Sequence, residues 1–283
     1  MIVRDATGED AEACGRIFFE AFASIAAHHN FPVEPGSIEF TRFKAGELLH
    51  SDGIAGLVAE RDGEVIASAF ADERGPVTGI GPVTVDPAAQ DHGVGRALME
   101  ALVERQHERG AASIRLVQTA YHARSLALYA KLGFTVREPL SVVQGTPPAR
   151  TTPGLSVRPA RREDIAACDS LCTEIHGHDR NAELRGAIAA GTARVVERPG
   201  RIAGYATGFG YGWHAVAETG EAMVALLASA DTFLGLGILV PSRNSELLRW
   251  CLANGLRIVQ QSTLMTRGLY NDPAGAWLPS IVY

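Results

Sequence analysis

Gln90-Asp91-His92-Gly93-Val94-Gly95-Arg96-Ala97 is the stretch of this chain best suited to hold a ligand. The β-branched run Val83-Thr84-Val85 enters it, and a helical run carrying Leu98 and Met99 leaves it. A turn of this kind aims successive main-chain N–H groups at one point, and the positive end of the following helix adds to the attraction for an anion. Gly93 and Gly95 allow phosphate oxygens to approach the backbone, and Arg96 can add charge-assisted hydrogen bonds. The stretch therefore reads as a diphosphate cradle. It lacks the third glycine of a dinucleotide fingerprint and the Gly-Lys-Ser/Thr of a Walker loop. From the two glycines alone, a simple tight strand-to-helix turn stays open.

Other reactive side chains are sparser. The cysteines are Cys14, Cys168, Cys172 and Cys251, with no Cys-x-x-Cys pair, and they read as small buried hydrophobes of a reducing cytoplasm. Adjacent His28 and His29 lack Cys, Asp or Glu at ligand spacing, so no metal is expected. Asp72 and Glu73 form an acidic pair whose default is a solvated surface.

The elements that must position these residues follow from pattern. The 283 residues carry 46% apolar and 20% charged side chains, a globular composition with room for two domains. A net charge of −6 disfavours a nonspecific nucleic-acid binder. No apolar run approaches the ~20 residues that span a bilayer, and residues 1–10 do not read as a secretory signal. The chain is expected in the cytoplasm, without a membrane or nucleic-acid partner. In the first half the spacing predicts strands at Ile2–Arg4, Gly56–Glu60, Glu64–Ala71, Val77–Val85, Ser113–Gln118 and Phe134–Val143. Helices are predicted near Glu9–Ala27, Ser37–Leu49, Gly95–Glu108 and Arg124–Lys131, with a loop holding Pro32 and Pro35 after the first.

A worn internal repeat runs through the chain. Val3-Arg4-Asp5-Ala6-Thr7-Gly8-Glu9-Asp10 before Ala13-Cys14 matches Val157-Arg158-Pro159-Ala160-Arg161-Arg162-Glu163-Asp164 before Ala167-Cys168, at an offset of 154. The Asp62-Gly63 hairpin around Val58–Ala67 matches Val196–Ala203 at an offset of 137. Ser125–Phe134, a helix stopped by Gly133 and followed by a strand, matches Ser245–Leu256 at an offset of 122. Two copies imply two domains, the second shortened. Gly145–Gly154, with three prolines, reads as the linker.

Gln90-x-x-Gly93-x-Gly95-x-Ala97-Leu98, then a helix, a strand and Ser125-x-x-Leu128-Tyr129-x-x-x-Gly133-Phe134, closely resembles the GNAT superfamily of N-acetyltransferases. The resemblance covers Ile2–Val143 in full and Leu155–Arg267 in reduced form. It implies an α/β fold of two GNAT-like domains, each a mixed, mostly antiparallel sheet flanked by helices. Residues 1–144 would be the catalytic domain, 145–154 the linker, and 155–283 a degenerate domain. It further implies that Gln90, Asp91, His92, Gly93, Val94, Gly95, Arg96 and Ala97 bind the pyrophosphate of acetyl-CoA. The backbone of Val83, Thr84 and Val85 would bind its pantetheine arm, where that strand splays from Ser113–Gln118. His122, Ser125, Leu128 and Tyr129 would line the same cofactor. Tyr129 matches the family's general acid, and a phenol of pKa ~10 can protonate a thiolate whose own acid has a pKa of ~8.5.

Two positions depart from the family pattern. His122 stands where an Asn is common, and Ile80–Val85 carries no Glu to serve as base. Base candidates are Asp72, Glu73, His28, His29 or a water held by Thr84. The acceptor groove would involve Phe18, Phe19, Phe22 and Phe31, of which Phe18 and Phe22 at i, i+4 also suit a core stripe. In the second half Thr219-Gly220-Glu221 leads straight into a helix, and Cys251 replaces the tyrosine. The apolar tail Leu278–Tyr283 is expected to dock, and a free carboxylate there is a further base candidate. The expected activity is direct acetyl transfer from acetyl-CoA to a primary amine, on a small molecule or a peptide, in a ternary complex. A non-catalytic acyl-CoA-binding or sensor protein is the alternative. The chain would act as a monomeric pseudo-dimer or a homodimer.

Overall fold

A computed structural model describes residues 1–34 and 36–282, so Pro35 of the first loop and Tyr283 of the tail lie outside the described residues. Contacts divide the chain into two compact units. The first is Met1–Thr135 with Thr266–Gly268 and Val282; the second is Val136–Met265 with Leu269–Ile281. No described helix is long and apolar enough to cross a membrane.

The first unit contains β1 (Ile2–Asp5), α1 (Ala11–His29), α2 (Ile38–His50), β2 (Ile54–Arg61), β3 (Glu64–Asp72), β4 (Val77–Val85), α3 (Val94–Glu108), β5 (Ser113–Thr119) and α4 (Ala123–Lys131). Its strands lie in the order β1-β2-β3-β4-β5, antiparallel except for the parallel β4–β5 pair. The Asp62-Gly63 turn closes the β2–β3 hairpin with both residues at positive φ (54° and 85°), as a two-residue hairpin loop requires. The face of α1 that carries Cys14 packs with Val58 and Phe70.

The second unit contains β6 (Thr135–Gln144, from Val136 onward), β7 (Ser156–Pro159), α5 (Ile165–His176), α6 (Asn181–Ala189), β8 (Arg194–Arg198), β9 (Arg201–Ala206), β10 (Ala215–Ala217), α7 (Gly220–Ala228), β11 (Ile238–Pro241), α8 (Ser245–Ala253), β12 (Arg257–Gly268, as far as Met265) and β13 (Ala276–Leu278). One sheet runs β13-β10-β9-β8-β7. β6 pairs antiparallel with β11, Val143 opposite Ile238. The strand expected to close the first half therefore groups with the second unit, and the division falls at Thr135, ahead of the Gly145–Gly154 stretch. The apolar tail belongs to this unit as far as Ile281, and Val282 groups with the first unit. β13 pairs with β10, Arg180 Nη2 donates to Ser280 Oγ at 3.3 Å, and the Ile281 N–H donates to the Tyr211 carbonyl at 2.8 Å. The carboxylate suggested as a base at Tyr283 lies outside the described residues.

The repeat is legible in each unit's own bonds. Arg4 donates to both oxygens of Asp10 at 2.9 Å and to Glu60 at 2.9 Å. Arg158 donates to both oxygens of Asp164 at 2.7 and 2.8 Å and to Glu197 at 2.6 Å. In both hairpins the register shifts by one residue at the same place, between Ala59 and Glu60 and between Val196 and Glu197.

Candidate active site

Each expected site residue lies in the first unit. β4 pairs with β5 only over Val77–Ile80 opposite Ser113–Leu116. From Gly81 to Val85 the ladder to β5 is not continued, so the two strands part at the end where the ligand loop begins. The main-chain groups there stand outside the β4–β5 ladder, as an extended ligand lying between the strands would require. The β3–β4 register also shifts between Ala69 and Ala71, which inserts one residue of β4 near Pro82 and adds to the bend. Along β4 the side chains alternate: Val83 and Val85 are half-buried, and Thr84 is buried on the opposite face.

The loop after β4 is held by its own side chains. Asp86 accepts from Ala88 N–H at 2.9 Å and also takes Arg16 at 3.2 Å. Gln90 Nε2 donates to the Val85 carbonyl at 3.2 Å, which ties the loop to the strand it leaves. His92 Nδ1 lies 2.6 Å from the Gln90 carbonyl. Asp91 and Gly93 both take positive φ, 65° and 78°. Gly93 is the N-cap of α3 and, lacking a side chain, leaves the first N–H groups of Val94, Gly95 and Arg96 without a side-chain cap. A Cβ on Gly95 would stand 3.2 Å from Val85 Cγ2, so any side chain there would crowd the strand. These features suit a phosphate group: a concave main chain, uncapped N–H donors and no Cβ in the way. The Arg96 Nε donates to Glu100 at 2.8 Å.

The opposite wall is β5 and α4. His122 is the N-cap residue of α4, and its carbonyl accepts from Gln118 Nε2 and Ser125 Oγ, both at 2.9 Å. Gln118 also donates to Ser125 Oγ at 3.1 Å, so one buried amide fixes the start of the helix. Burial, then Arg124 and His29, hold the His122 imidazole below its ordinary pKa, which keeps the ring neutral at pH 7. Leu128 is half-buried and Tyr129 is buried. His122 stands outside the helical repeat, at ψ 74°, and Tyr129 lies about two turns further along the chain, within α4. Phe134 packs beside Tyr129, ring centroids 6.0 Å apart. Burial pushes the Tyr129 phenol up to about 12, so it carries its proton at neutral pH. A thiolate delivered to the same buried place is destabilised by the same desolvation, so the gap between donor and acceptor changes less than either value.

Three proposed sources of a base are engaged elsewhere. Asp72 is ion-paired with Arg74. Glu73 is buried against Arg105 at 2.8 Å and Gln106; burial raises its pKa, but those bonds outweigh it and hold the carboxyl low. Asp72 ends β3 and Glu73 follows it, at the end of the sheet where β4 starts, whereas the strands part at its far end. The Thr84 hydroxyl shares a 2.9 Å hydrogen bond with Ser68, so Thr84 meets the groove only through its main chain. His28 and His29 contact each other at 4.8 Å, and His29 also lies 5.2 Å from the Tyr121 ring. Phe31 stacks on Tyr121 at 4.2 Å, while Phe18 and Phe22 contact each other edge to face at 5.3 Å.

Sequence reasoning missed Arg124. It donates to Asp91 at 2.6 Å and so sits against the loop. The signal was available, because a cation at the second position of a helix opposes the helix dipole and calls for an anionic partner.

The corresponding region of the second unit is built differently. β10 has three residues and no glycine loop follows it. The α7 N-terminus is capped by Thr219, which accepts from Ala222 N–H at 3.3 Å, with Glu221 in its first turn. Cys251 is buried, and burial pushes its thiol up to about 12, the state of an unreactive thiol.

Residues 19–134 match the acetyltransferase (GNAT) family. Over 143 residues the chain is 33% identical to a mycothiol acetyltransferase of Amycolatopsis mediterranei, covering 46% of this chain and 44% of that protein. The chain spans under half the length of the curated relatives it matches. A crystal structure described as a putative acetyltransferase from Pyrococcus horikoshii is similar over 100% of this chain and 92% of its own, with a TM-score of 0.73 and 20% identity. A tandem GNAT protein from the clavulanic acid biosynthesis pathway is similar over 95% of this chain and 99% of its own, with a TM-score of 0.58 and 14% identity. The fold is that of tandem GNAT proteins.

Proposed function

We propose that this chain, which carries a GNAT acetyltransferase domain, moves an acetyl group from acetyl-CoA to a primary amine by direct attack in a ternary complex. The observation that carries the reading is the parting of β4 from β5 beyond Ile80 and Leu116, beside the uncapped N-terminus of α3. A thioester arm needs a slot of free main-chain groups, and its diphosphate needs a cradle of N–H donors; here the two are continuous.

In this reading Gln90–Ala97 hold the diphosphate through main-chain N–H groups, with Arg96 adding charge. Val83, Thr84 and Val85 bind the pantetheine amides through the backbone. His122, Ser125 and Leu128 line the α4 side. Acetyl-CoA supplies an activated acyl carbon and a thiolate leaving group. The neutral amine nitrogen bonds to the acyl carbon as the C–S bond breaks; Tyr129 donates its proton to the departing sulfur, the proton lost by the attacking nitrogen restores the phenol, and burial excludes water from that step. The second half, with a capped α7 and a buried Cys251, is proposed as a copy that binds no acetyl-CoA.

The engagement of Asp72, Glu73 and Thr84 elsewhere favours a second reading, an acyl-CoA-binding protein without turnover. One experiment separates them. Release of CoA thiol is followed with the full chain, acetyl-CoA and a panel of primary amines including amino-sugar thiols, polyamines and peptide N-termini. Amine-dependent release supports the transferase. Binding of acetyl-CoA without release for any amine supports the binding protein.

A further inference from the structure

An acid stands inside a loop built for anions. Asp91 occupies the middle of the Gln90–Ala97 stretch at a φ of 65°, a conformation that Asp and Asn tolerate better than most residues. Its carboxylate accepts from Arg124 Nη2 at 2.6 Å across 33 residues of sequence. Arg124 is the second residue of α4, where the helix dipole disfavours a cation, and Asp91 supplies the compensating charge. Both side chains are largely exposed, 59% for Arg124 and 75% for Asp91. An exposed pair of long side chains is weak and easily exchanged. A guanidinium fork binds phosphate oxygens at least as well as a carboxylate, and a diphosphate carries more charge than Asp91 does.

We propose that Arg124 is a phosphate-binding residue of this site and that Asp91 is its built-in competitor, yielding the guanidinium to the phosphates of the incoming acyl-CoA. The inference rests on the reading of Gln90–Ala97 as the diphosphate cradle. Asp91 then has two opposing effects on binding. It keeps Arg124 beside the loop, and it repels the anion that Arg124 is placed to receive. The second effect dominates once the phosphates arrive, because carboxylate and phosphate then share one solvent-rich loop. Like charges that share such a medium cost several-fold in affinity, less as salt rises. Asp91 thereby sets a ceiling on affinity, which favours release of spent CoA.

The test is calorimetric titration of the full chain with acetyl-CoA, acetyl-3′-dephospho-CoA and S-acetyl-pantetheine. Asp91→Asn keeps the size and the tolerance of positive φ while removing the charge. It should tighten acetyl-CoA about 3- to 10-fold at low salt, with the gain shrinking as salt is added. Arg124→Gln should weaken acetyl-CoA about 10-fold. Neither change should alter the affinity for S-acetyl-pantetheine, which has no phosphate diester. If the loss in Arg124→Gln persists with the dephospho donor, the diphosphate is the partner; if it disappears, the 3′-phosphate is. Unchanged or weaker acetyl-CoA binding in Asp91→Asn overturns the competitor role. Undiminished binding in Arg124→Gln, or an equal loss for S-acetyl-pantetheine, overturns the phosphate role. Failure of the wild-type chain to bind acetyl-CoA overturns instead the reading of the cradle itself.

Discussion

Arg158 grips Asp164 through both guanidinium nitrogens, at 2.7 and 2.8 Å. Arg4 grips Asp10 in the same way in the other half. Each aspartate also accepts from a main-chain N–H three residues before it, Asp10 from Thr7 and Asp164 from Arg161, both at 2.7 Å. The pair thus ties a strand to the start of the helix that follows, twice in one chain.

These carboxylates make stability depend on acid. The hydrogen bond from Arg4, against the opposing effect of burial, holds Asp10 down at about 2, and the bond from Arg158 lowers Asp164 likewise. A carboxyl whose folded pKa lies below its unfolded value near 3.9 stabilises the fold above that value and loses the contribution as pH falls through the folded one. Urea unfolding should therefore show wild type more stable than Asp10→Asn by about 1 kcal/mol at pH 7, after allowance for the partly exposed Arg4. The difference should close between about pH 4 and pH 2. A gap that stays constant to pH 2 would mean that the aspartate acts by shape and not by charge.

Gly93 and Gly95 should fail differently when replaced. Gly93 has open space around it, but its φ of 78° strains any side chain; Gly95 lacks room, with Val85 Cγ2 3.2 Å from a built Cβ. Gly93→Ala should cost about 1 kcal/mol of stability and bind acetyl-CoA only a few-fold worse. Gly93→Asp and Gly95→Asp should each lower acetyl-CoA affinity by about 100-fold or more with the circular dichroism spectrum retained, because a carboxylate enters the cradle. Near-normal affinity in both Asp variants would reduce the loop to a structural turn.

Tyr129→Phe keeps the buried ring and its packing on Phe134 while removing the proton. In the steady state kcat should drop about 10²- to 10⁴-fold with acetyl-CoA affinity nearly unchanged. An unaltered kcat would show that the leaving thiolate takes its proton from another donor.

One acetyl-CoA should bind per chain. α3 begins with uncapped N–H groups after Gly93, whereas α7 begins capped by Thr219 with Glu221 beside it. Titration of the full chain should reach a stoichiometry of one, and Gly95→Asp should weaken that single site by about 100-fold or more. A second equivalent, or residual tight binding in that variant, would reveal a cradle in residues 155–283.

Much of this protein was determined by its sequence alone. The Asp62-Gly63 turn, α1 and α2 to within two residues at either end, and the α4 stop at Gly133 follow from residues at most a few positions apart. Backbone preference, capping and hydrophobic period act over that range. The Gly93 conformation belongs to the same class. The partners of the polar side chains were decided only by the tertiary structure. Thr84 meets Ser68 instead of the groove because strand parity and the β3–β4 register point it to the other face, and a shift of one residue would reverse that. Glu73 is claimed by Arg105 and Gln106, more than thirty residues away. Asp91 meets Arg124 only because α4 starts beside the loop. β6 groups with β11, although its sequence continues the first half. A strand's sequence fixes which of its faces is apolar; which neighbour it pairs with depends on every other edge available, and that competition is settled by the whole fold.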